Sequence, residues 1–242
     1  YPERVIRQHV QQLRKSIRFL KKEGFRFVYV LDSQEAIDQA EVIRTKLWNN
    51  KKELHGPFDI IGDVHGCLAE LKLLLDQLGY VPDPDGIYVH PQGRMAAFLG
   101  DLCDRGAENT GVLRLVMGMV SKGTALAVPG NHDVKLLKYL QGRRVQLNHG
   151  LEITVAQLEG ESDAFRSQVQ QFLEGLVSHY VLDEGKLVIA HAGIKEKYIG
   201  RGSGRIRDFC LYGDVNGETD AYGLPVRENW AADYRGKALV VY

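Results

Sequence analysis

The chain has 242 residues, of which 44% are apolar and 26% charged, with 31 basic side chains balanced by 31 acidic ones. That length suits one substantial core, or a core with a small appendage, and the composition is that of an ordinary soluble globular protein. A formal charge of zero excludes reading a partner from overall charge, and neither a signal peptide nor an apolar run long enough to cross a membrane is visible in these residues.

From Glu3 to Glu23 the apolar residues Ile6, Val10, Leu13, Ile17 and Leu20 recur at helical spacing and predict one amphipathic helix stopped by Gly24. Residues 1–26 carry eight Lys or Arg against only Glu3 and Glu23, a solvated helix face with an anion-binding patch as the alternative. Residues 25–31, FRFVYVL, predict a strand, after which Asp32 or Ser33 caps a second helix running towards Trp48. The polar stretch 49–57, NNKKELHGP, reads as a boundary, so residues 1–57 and 58–242 form two units. The chain begins without Met and stops inside the apolar run ALVVY, which reads as a fragment of something longer.

Beyond residue 58 a short apolar strand repeatedly ends in glycine and a polar cluster before a helix begins. FDIIGD leads to a helix bearing Leu68, Leu71, Leu75 and Leu78; MAAFLGD (95–101) to VLRLVMGMV; and TALAVPGNHD (124–133) to VKLLKYL. A helix over about 162–178, a strand KLVIAHAG (186–193) and a closing strand 238–242 follow. This alternation predicts an α/β fold, in which ligand chemistry collects at the carboxyl ends of strands.

The polar clusters sit at those ends. Alone, each has an ordinary explanation: Gly62-Asp63-Val64-His65-Gly66 as a turn, and Gly100-Asp101-Leu102-Cys103-Asp104-Arg105-Gly106 as a helix entry with a local ion pair. Gly130-Asn131-His132-Asp133 reads as a capped helix start, and His191 as a core histidine. Together, four strands deliver carboxylate, amide and imidazole at one end, which capping does not require. Such a donor set suits Mn²⁺, Fe or Zn²⁺, and two ions sharing a carboxylate would clamp a phosphate and activate water.

Asp-x-His, Gly-Asp-x-x-Asp-Arg-Gly, Gly-Asn-His-Asp and His-Ala-Gly, in that order over residues 58–242, resemble the calcineurin-like binuclear metallophosphoesterases. The resemblance implies a central β-sandwich flanked by helices in α-β-β-α layers. It makes Asp63 and His65 ligands of a first metal, Asp101 the bridging carboxylate, and Asn131 and His191 ligands of a second. It implies His132 as general acid, Asp104 as the carboxylate that orients it, and Arg105 as a grip on phosphate. The implied cofactors are two divalent ions, Mn²⁺ first, with Ni²⁺, Fe or Zn²⁺ as alternatives.

RVIRQHVQQLRKSIRFLKKEGFRFVYVLDS and the stretch LYGDVNGETDAYGLPVRENWAADYRGKALVVY narrow the resemblance to the bacterial polynucleotide kinase-phosphatases of RNA repair. That implies hydrolysis of 2′-, 3′- and 2′,3′-cyclic phosphates at RNA ends, with kinase and adenylyltransferase domains flanking the phosphatase; a homodimer is one possible assembly, and the scattered cysteines suit a cytoplasmic location. Residues 1–57 would then be a kinase tail plus linker, without kinase activity because no P-loop occurs. The family expects one more second-metal histidine, in a Gly-His-Thr stretch that would begin at the chain end, and its loss would weaken that site.

Arg201 and Arg205 are candidate substrate contacts, as are Arg143, Arg144 and Arg207; for each, loop charge is the simpler reading. Tyr212, Tyr222, Trp230 and Tyr234 could stack bases but read more simply as core and loop anchors. Cys67, Cys103 and Cys210 lack paired spacing and read as reduced thiols, the first two packing under the metal loops. His149 is a distant site candidate and His179 a structural residue. Dinucleoside polyphosphate hydrolases and protein Ser/Thr phosphatases share the metal core and are the alternative enzyme readings. A docking module for RNA or a partner is the non-enzyme one.

Overall fold

The computed structural model describes residues 2–20, 27–43, 45–219 and 225–242. In chain order the elements are α1 (Glu3–Leu20), α2 (Gln34–Asp38), β1 (Asn50–Lys51), β2 (Phe58–Ile61), α3 (Leu68–Gln77), β3 (Val81–Pro82), β4 (Tyr88–Val89) and β5 (Met95–Phe98). They continue with α4 (Asn109–Lys122), β6 (Ala125–Ala127), α5 (Asn131–Leu140), α6 (Leu151–Glu159), α7 (Asp163–Gly175), β7 (His179–Leu182) and β8 (Leu187–Ala190). Last come α8 (Gly204–Tyr212), β9 (Asp214–Thr219), β10 (Pro225–Glu228) and β11 (Leu239–Val241).

Two sheets form the centre. One has the order β2-β5-β6, all parallel; the other runs β1-β7-β8-β11, with β7 and β8 antiparallel and the outer pairs parallel. Side chains alternate along each strand, and that period of two builds three cores. Ala97 and Leu99 face Leu182 and Ile189 between the sheets. Ala96 and Phe98 face the other way, into the core made with Leu75 of α3, Leu113 of α4, Leu136 of α5, Leu158 of α6 and Leu173 of α7. On the far side Val188 and Ala190 pack against Ile206 and Cys210 of α8. The layers are therefore helix, sheet, sheet, helix, each apolar face covered by the next layer.

Local chemistry sets the helix ends. The Ser162 hydroxyl accepts the Phe165 N–H at 3.2 Å to start α7, and the Ser203 hydroxyl accepts that of Ile206 at 3.2 Å to start α8. Gly123 closes α4 at φ 78°, a left-handed conformation open to glycine at little cost.

The first 48 residues depart from expectation. The helix forms over Glu3–Leu20, with its end near Gly24 lying outside the described residues, and Ile6, Val10 and Leu13 stay exposed. No strand forms at 27–31, and residues 25–26 lie outside the described residues; Tyr29 is 84% exposed. A β-rich stretch becomes a strand only with a partner edge, and none is hydrogen-bonded to it. Ser33 does cap a helix, accepting the Ala36 N–H at 3.1 Å, but α2 is five residues long and buries none of them, so packing does not extend it to Trp48. Asn50 and Lys51, within the stretch 49–57 read as a boundary, pair with Val181 and Leu182 and so join the sheet of β7.

Candidate metal centre

The residues singled out in the four clusters converge at the carboxyl ends of β2, β5, β6 and β8. Glycines let the loops interlock. A Cβ at Gly106 would run into the backbone of His65 and Gly66, and one at Gly130 into Asp101 Oδ1. Val64 and His65 donate their N–H groups to Asp101 O at 3.1 and 2.9 Å, and Gly66 donates to Leu102 O at 3.0 Å. His65, Asp101, Asp104 and Arg105 all have positive φ, between 46° and 74°. Non-glycine residues hold that conformation at a cost of about 1–2 kcal/mol each, so the surrounding bonds must impose it.

Asp101 is the hub. Its Oδ1 accepts the His132 N–H at 2.9 Å, and its Oδ2 lies 3.7 Å from both His65 Nε2 and His191 Nε2. Asp63 reaches towards both imidazoles, at 3.9 Å from His65 Nε2 and 3.8 Å from His191 Nδ1. Two overlapping groups result, Asp63–Asp101–His191 and His65–Asp101–His132, sharing Asp101. Asn131 Oδ1 is 3.2 Å from His191 Nε2.

The ring tautomers test whether these residues fit metal ions. His65 Nδ1 lies 2.9 Å from Cys103 O and His191 Nδ1 lies 2.9 Å from Leu99 O. A carbonyl only accepts, so in both rings Nδ1 is the donor, which leaves Nε2, on the Asp101 side, as the nitrogen open to a cation. His65 Nε2 is buried without a hydrogen-bond partner. Acceptors facing acceptors are what a cation requires, and backbone carbonyls holding Nδ1 are the usual support of a metal-binding imidazole. The donor set of carboxylate, amide and imidazole fits divalent ions.

Beside this cluster His132 Nδ1 donates to Asp104 Oδ2 at 2.6 Å, and Arg105 Nη2 donates to His132 Nε2 at 3.3 Å. The bond to Asp104 holds the His132 pKa above its ordinary value against the opposing effect of burial, and the Asp101 charge adds to the rise. Asp133, fully buried, accepts the Gly130 and Leu102 N–H groups at 2.8 and 3.0 Å and so staples two of the clustered loops together. Burial first, and Asp101 second, push its carboxyl up to about 6 against those two donors.

Sequence reading missed Asp133 as a staple, although its place as a helix cap was visible. It also missed Thr154, whose hydroxyl bonds Asp104 from 50 residues away, and Gln157, which donates to Ala107 O at 2.6 Å and accepts the Asn109 N–H at 2.8 Å. Thr154 sits on the buried face of α6 and Gln157 is half-buried beside it, a placement that only the fold reveals.

The outlying candidates divide. Arg205 lines a groove with Lys197, Asp208 and Tyr212 rather than the cleft at Asp63 and His191. Arg201 is exposed and also outside that cleft, its carbonyl accepting from Asn49 Nδ2 at 3.2 Å. Arg207 is tied to Leu176 O at 3.1 Å, and Arg143 lines a pocket with Tyr139 and Arg166. Arg144 is exposed. Trp230 is buried among Phe209, Tyr234 and Tyr242, seated on Gly193, while Tyr222 lies outside the described residues. The Cys103 thiol is buried and pushed well up by that burial, so it is no thiolate ligand; Cys67 is exposed and leans on His65 O at 3.6 Å. His149 is exposed at φ 60°, next to Gly150, which packs on the Arg105 backbone.

A cleft of about 450 Å³ opens from Asp63 and His191 past Arg227 to Trp230 and Tyr242. A second, of about 720 Å³, adjoins it through Asp214, Glu228, Asn229 and Trp230.

A model of the calcineurin-like phosphoesterases matches residues 56–240. The chain belongs to the calcineurin-like phosphoesterase family. It is thus a hydrolase of phosphoesters, and this family typically binds two divalent metal ions. The chain is 51% identical over 189 residues to the bis(5′-nucleosyl)-tetraphosphatase PrpE (asymmetrical) of Halalkalibacterium halodurans, covering 76% of each chain. It is 48% identical over 189 residues to the protein of that name from Bacillus subtilis, covering 76% of this chain and 77% of that one. A crystal structure provisionally assigned as a diadenosine tetraphosphatase superposes with a TM-score of 0.52 at 22% identity, covering 79% of this chain and 76% of that one, which supports the fold.

These relatives correct the narrower resemblance. Proteins about half identical to this chain are named tetraphosphatases and not polynucleotide kinase-phosphatases, so RNA repair and RNA ends as substrate lose their basis. The match fills 77% of the Bacillus subtilis protein, which leaves that relative no room for kinase and adenylyltransferase domains; the flanking domains and the partners inferred with them are withdrawn. Among the described residues no helix is long and apolar enough to cross a membrane.

Proposed function

We propose that this chain hydrolyses dinucleoside tetraphosphates asymmetrically, releasing a nucleoside monophosphate and a nucleoside triphosphate. The observation that carries this reading is the identity of 42–51% to proteins named for that activity, over 76% of this chain. The two adjoining clefts support it, because an extended substrate with a nucleoside at each end needs room beyond the reacting phosphate.

Asp63, His65, Asp101, Asn131 and His191 would hold two divalent ions, and their oxygen and imidazole donors suit Mn²⁺ better than a thiolate-favouring ion. When bound, the ions supply the charge that makes water nucleophilic near neutral pH and that neutralises phosphoryl oxygens. The protein's own groups do the rest. His132, its Nδ1 held by Asp104, takes up a proton at Nε2 from solvent once Arg105 has turned away and delivers it to the departing phosphate oxygen. Arg105, now resting on His132 Nε2, turns its planar fork to the phosphoryl oxygens, which frees that nitrogen. Asp101 keeps the His132 backbone in register with the ligands. In the neighbouring cleft, Arg227 is exposed and has no ion pair among the described residues, so it is available to the distal phosphates.

Product analysis with diadenosine tetraphosphate and Mn²⁺ tests this. AMP and ATP in equal amounts are expected. Two ADP, or no turnover alongside hydrolysis of a phosphopeptide, would reject the reading.

A further inference from the structure

We propose that Thr154 is a positioning residue for the proton donor, completing a buried Thr154–Asp104–His132 chain of hydrogen bonds that no motif contains. The proposal rests on His132 acting as the donor and goes beyond that assignment. Thr154 and Asp104 are both fully buried. The Thr154 hydroxyl accepts the Asp104 N–H at 3.1 Å and donates to Asp104 Oδ1 at 2.6 Å. Because the N–H occupies the acceptor side, the single hydroxyl hydrogen is committed to the carboxylate. That leaves Oδ2 turned to His132 Nδ1, at 2.6 Å.

One side chain thus grips Asp104 at its backbone and its carboxylate. The grip has work to do, since Asp104 and Arg105 stand in succession at φ 74° and 65°. A valine here would keep the shape of Thr154 and remove both bonds, leaving a buried carboxylate short of a donor and free to turn away from the imidazole. Helix α6 adds a second brace, because Gly150 at its start packs against the Arg105 backbone with no room for a Cβ.

A positioning role has a signature that loss of packing lacks. Protonation matters most for a strongly basic leaving group, so phenyl phosphate needs the donor more than p-nitrophenyl phosphate does. We expect Thr154→Val to lower kcat on phenyl phosphate about 10-fold or more with little change in KM, and on the p-nitrophenyl ester less than about threefold. Thr154→Ser should restore the loss, and His132→Asn should show the same selectivity more strongly. Thr154→Ala, with circular dichroism and metal content as controls, gives the same reading if the valine variant fails to fold. Equal loss on both esters, or none on either, in a folded Thr154 variant while His132→Asn is selective overturns the proposal. Equal loss on both esters in His132→Asn shows that the donor assignment itself has failed, and the Thr154 proposal with it.

Discussion

Asp101 carries more of the site than any other residue. Its two oxygens divide the labour: Oδ1 holds the His132 backbone, and Oδ2 faces two imidazole nitrogens at equal distance. Asp101→Asn is nearly isosteric but removes the charge that makes the shared position attractive to cations. Metal content by mass spectrometry should fall, and phosphoester hydrolysis should drop about 100-fold or more, with the fold intact by circular dichroism. Gly130→Ala tests the same atom from the other side. Gly130 has an ordinary φ of −93°, so the conflict is not backbone strain but the collision of a methyl group with Asp101. Overpacking of this kind costs about 1–3 kcal/mol, and a lowered melting temperature with lost activity is expected; a fully active, equally stable variant would show that the two loops are not tightly interlocked.

At the scale of elements, β7 and β2 hold the sheets by buried polar groups. In β7, His179 Nε2 accepts the Gly200 N–H at 3.0 Å and lies 3.0 Å from Asn49 Nδ2, so the neutral ring ties β7 to two loops. Burial lowers its pKa from 6.5 to about 4. The unfolded chain therefore takes up this proton first as pH falls. The stability that goes with the neutral ring is complete above pH 6.5 and is lost as pH drops towards 4. Urea unfolding of His179→Gln should show a flatter dependence across that window; an unchanged slope would rule the residue out. In β2, Asp59 accepts from Tyr80 Oη at 2.9 Å and from Arg94 Nε at 2.8 Å, and these donors hold its carboxyl below the usual range, the arginine contributing most. Asp59→Ala removes both bonds and leaves the buried Tyr80 hydroxyl without its acceptor, and should lower the midpoint of chemical denaturation.

At the scale of the molecule, the two sheets bring Asp63, Asp101, Asp104 and Asp133 together at one end of four strands. A site this rich in acceptors is better tolerated with cations present, so metal binding and folding are linked. Stripping metal with a chelator should lower the melting temperature, and Mn²⁺ should restore it. Occupancy at 100 times the dissociation constant is worth about 2.7 kcal/mol, or several degrees for a chain of this size. Identical melting curves with and without chelator would argue against tight binding.

The residue types and their order already determined the alternation of strand and helix, the strand ends where chemistry collects, and the candidates Asp63, His65, Asp101, Asn131, His132 and His191. Those features are written locally: a period of two or of 3.6, a glycine, and a polar cluster within a few residues. What lies across the chain is not. Thr154 meets Asp104 at a separation of 50 residues, and His191 meets Asn131 at 60. No spacing rule announces such meetings, because the intervening helices set the distances. The same holds for failures of local reading: FRFVYVL has every strand preference, yet its described part pairs with no edge. Arg201 and Arg205 have the right charge, yet α8 and its preceding loop place them outside the cleft. Local sequence determined which groups were available; only tertiary packing decided which tautomers, carboxylate rotamers and arginines face the same few cubic ångströms.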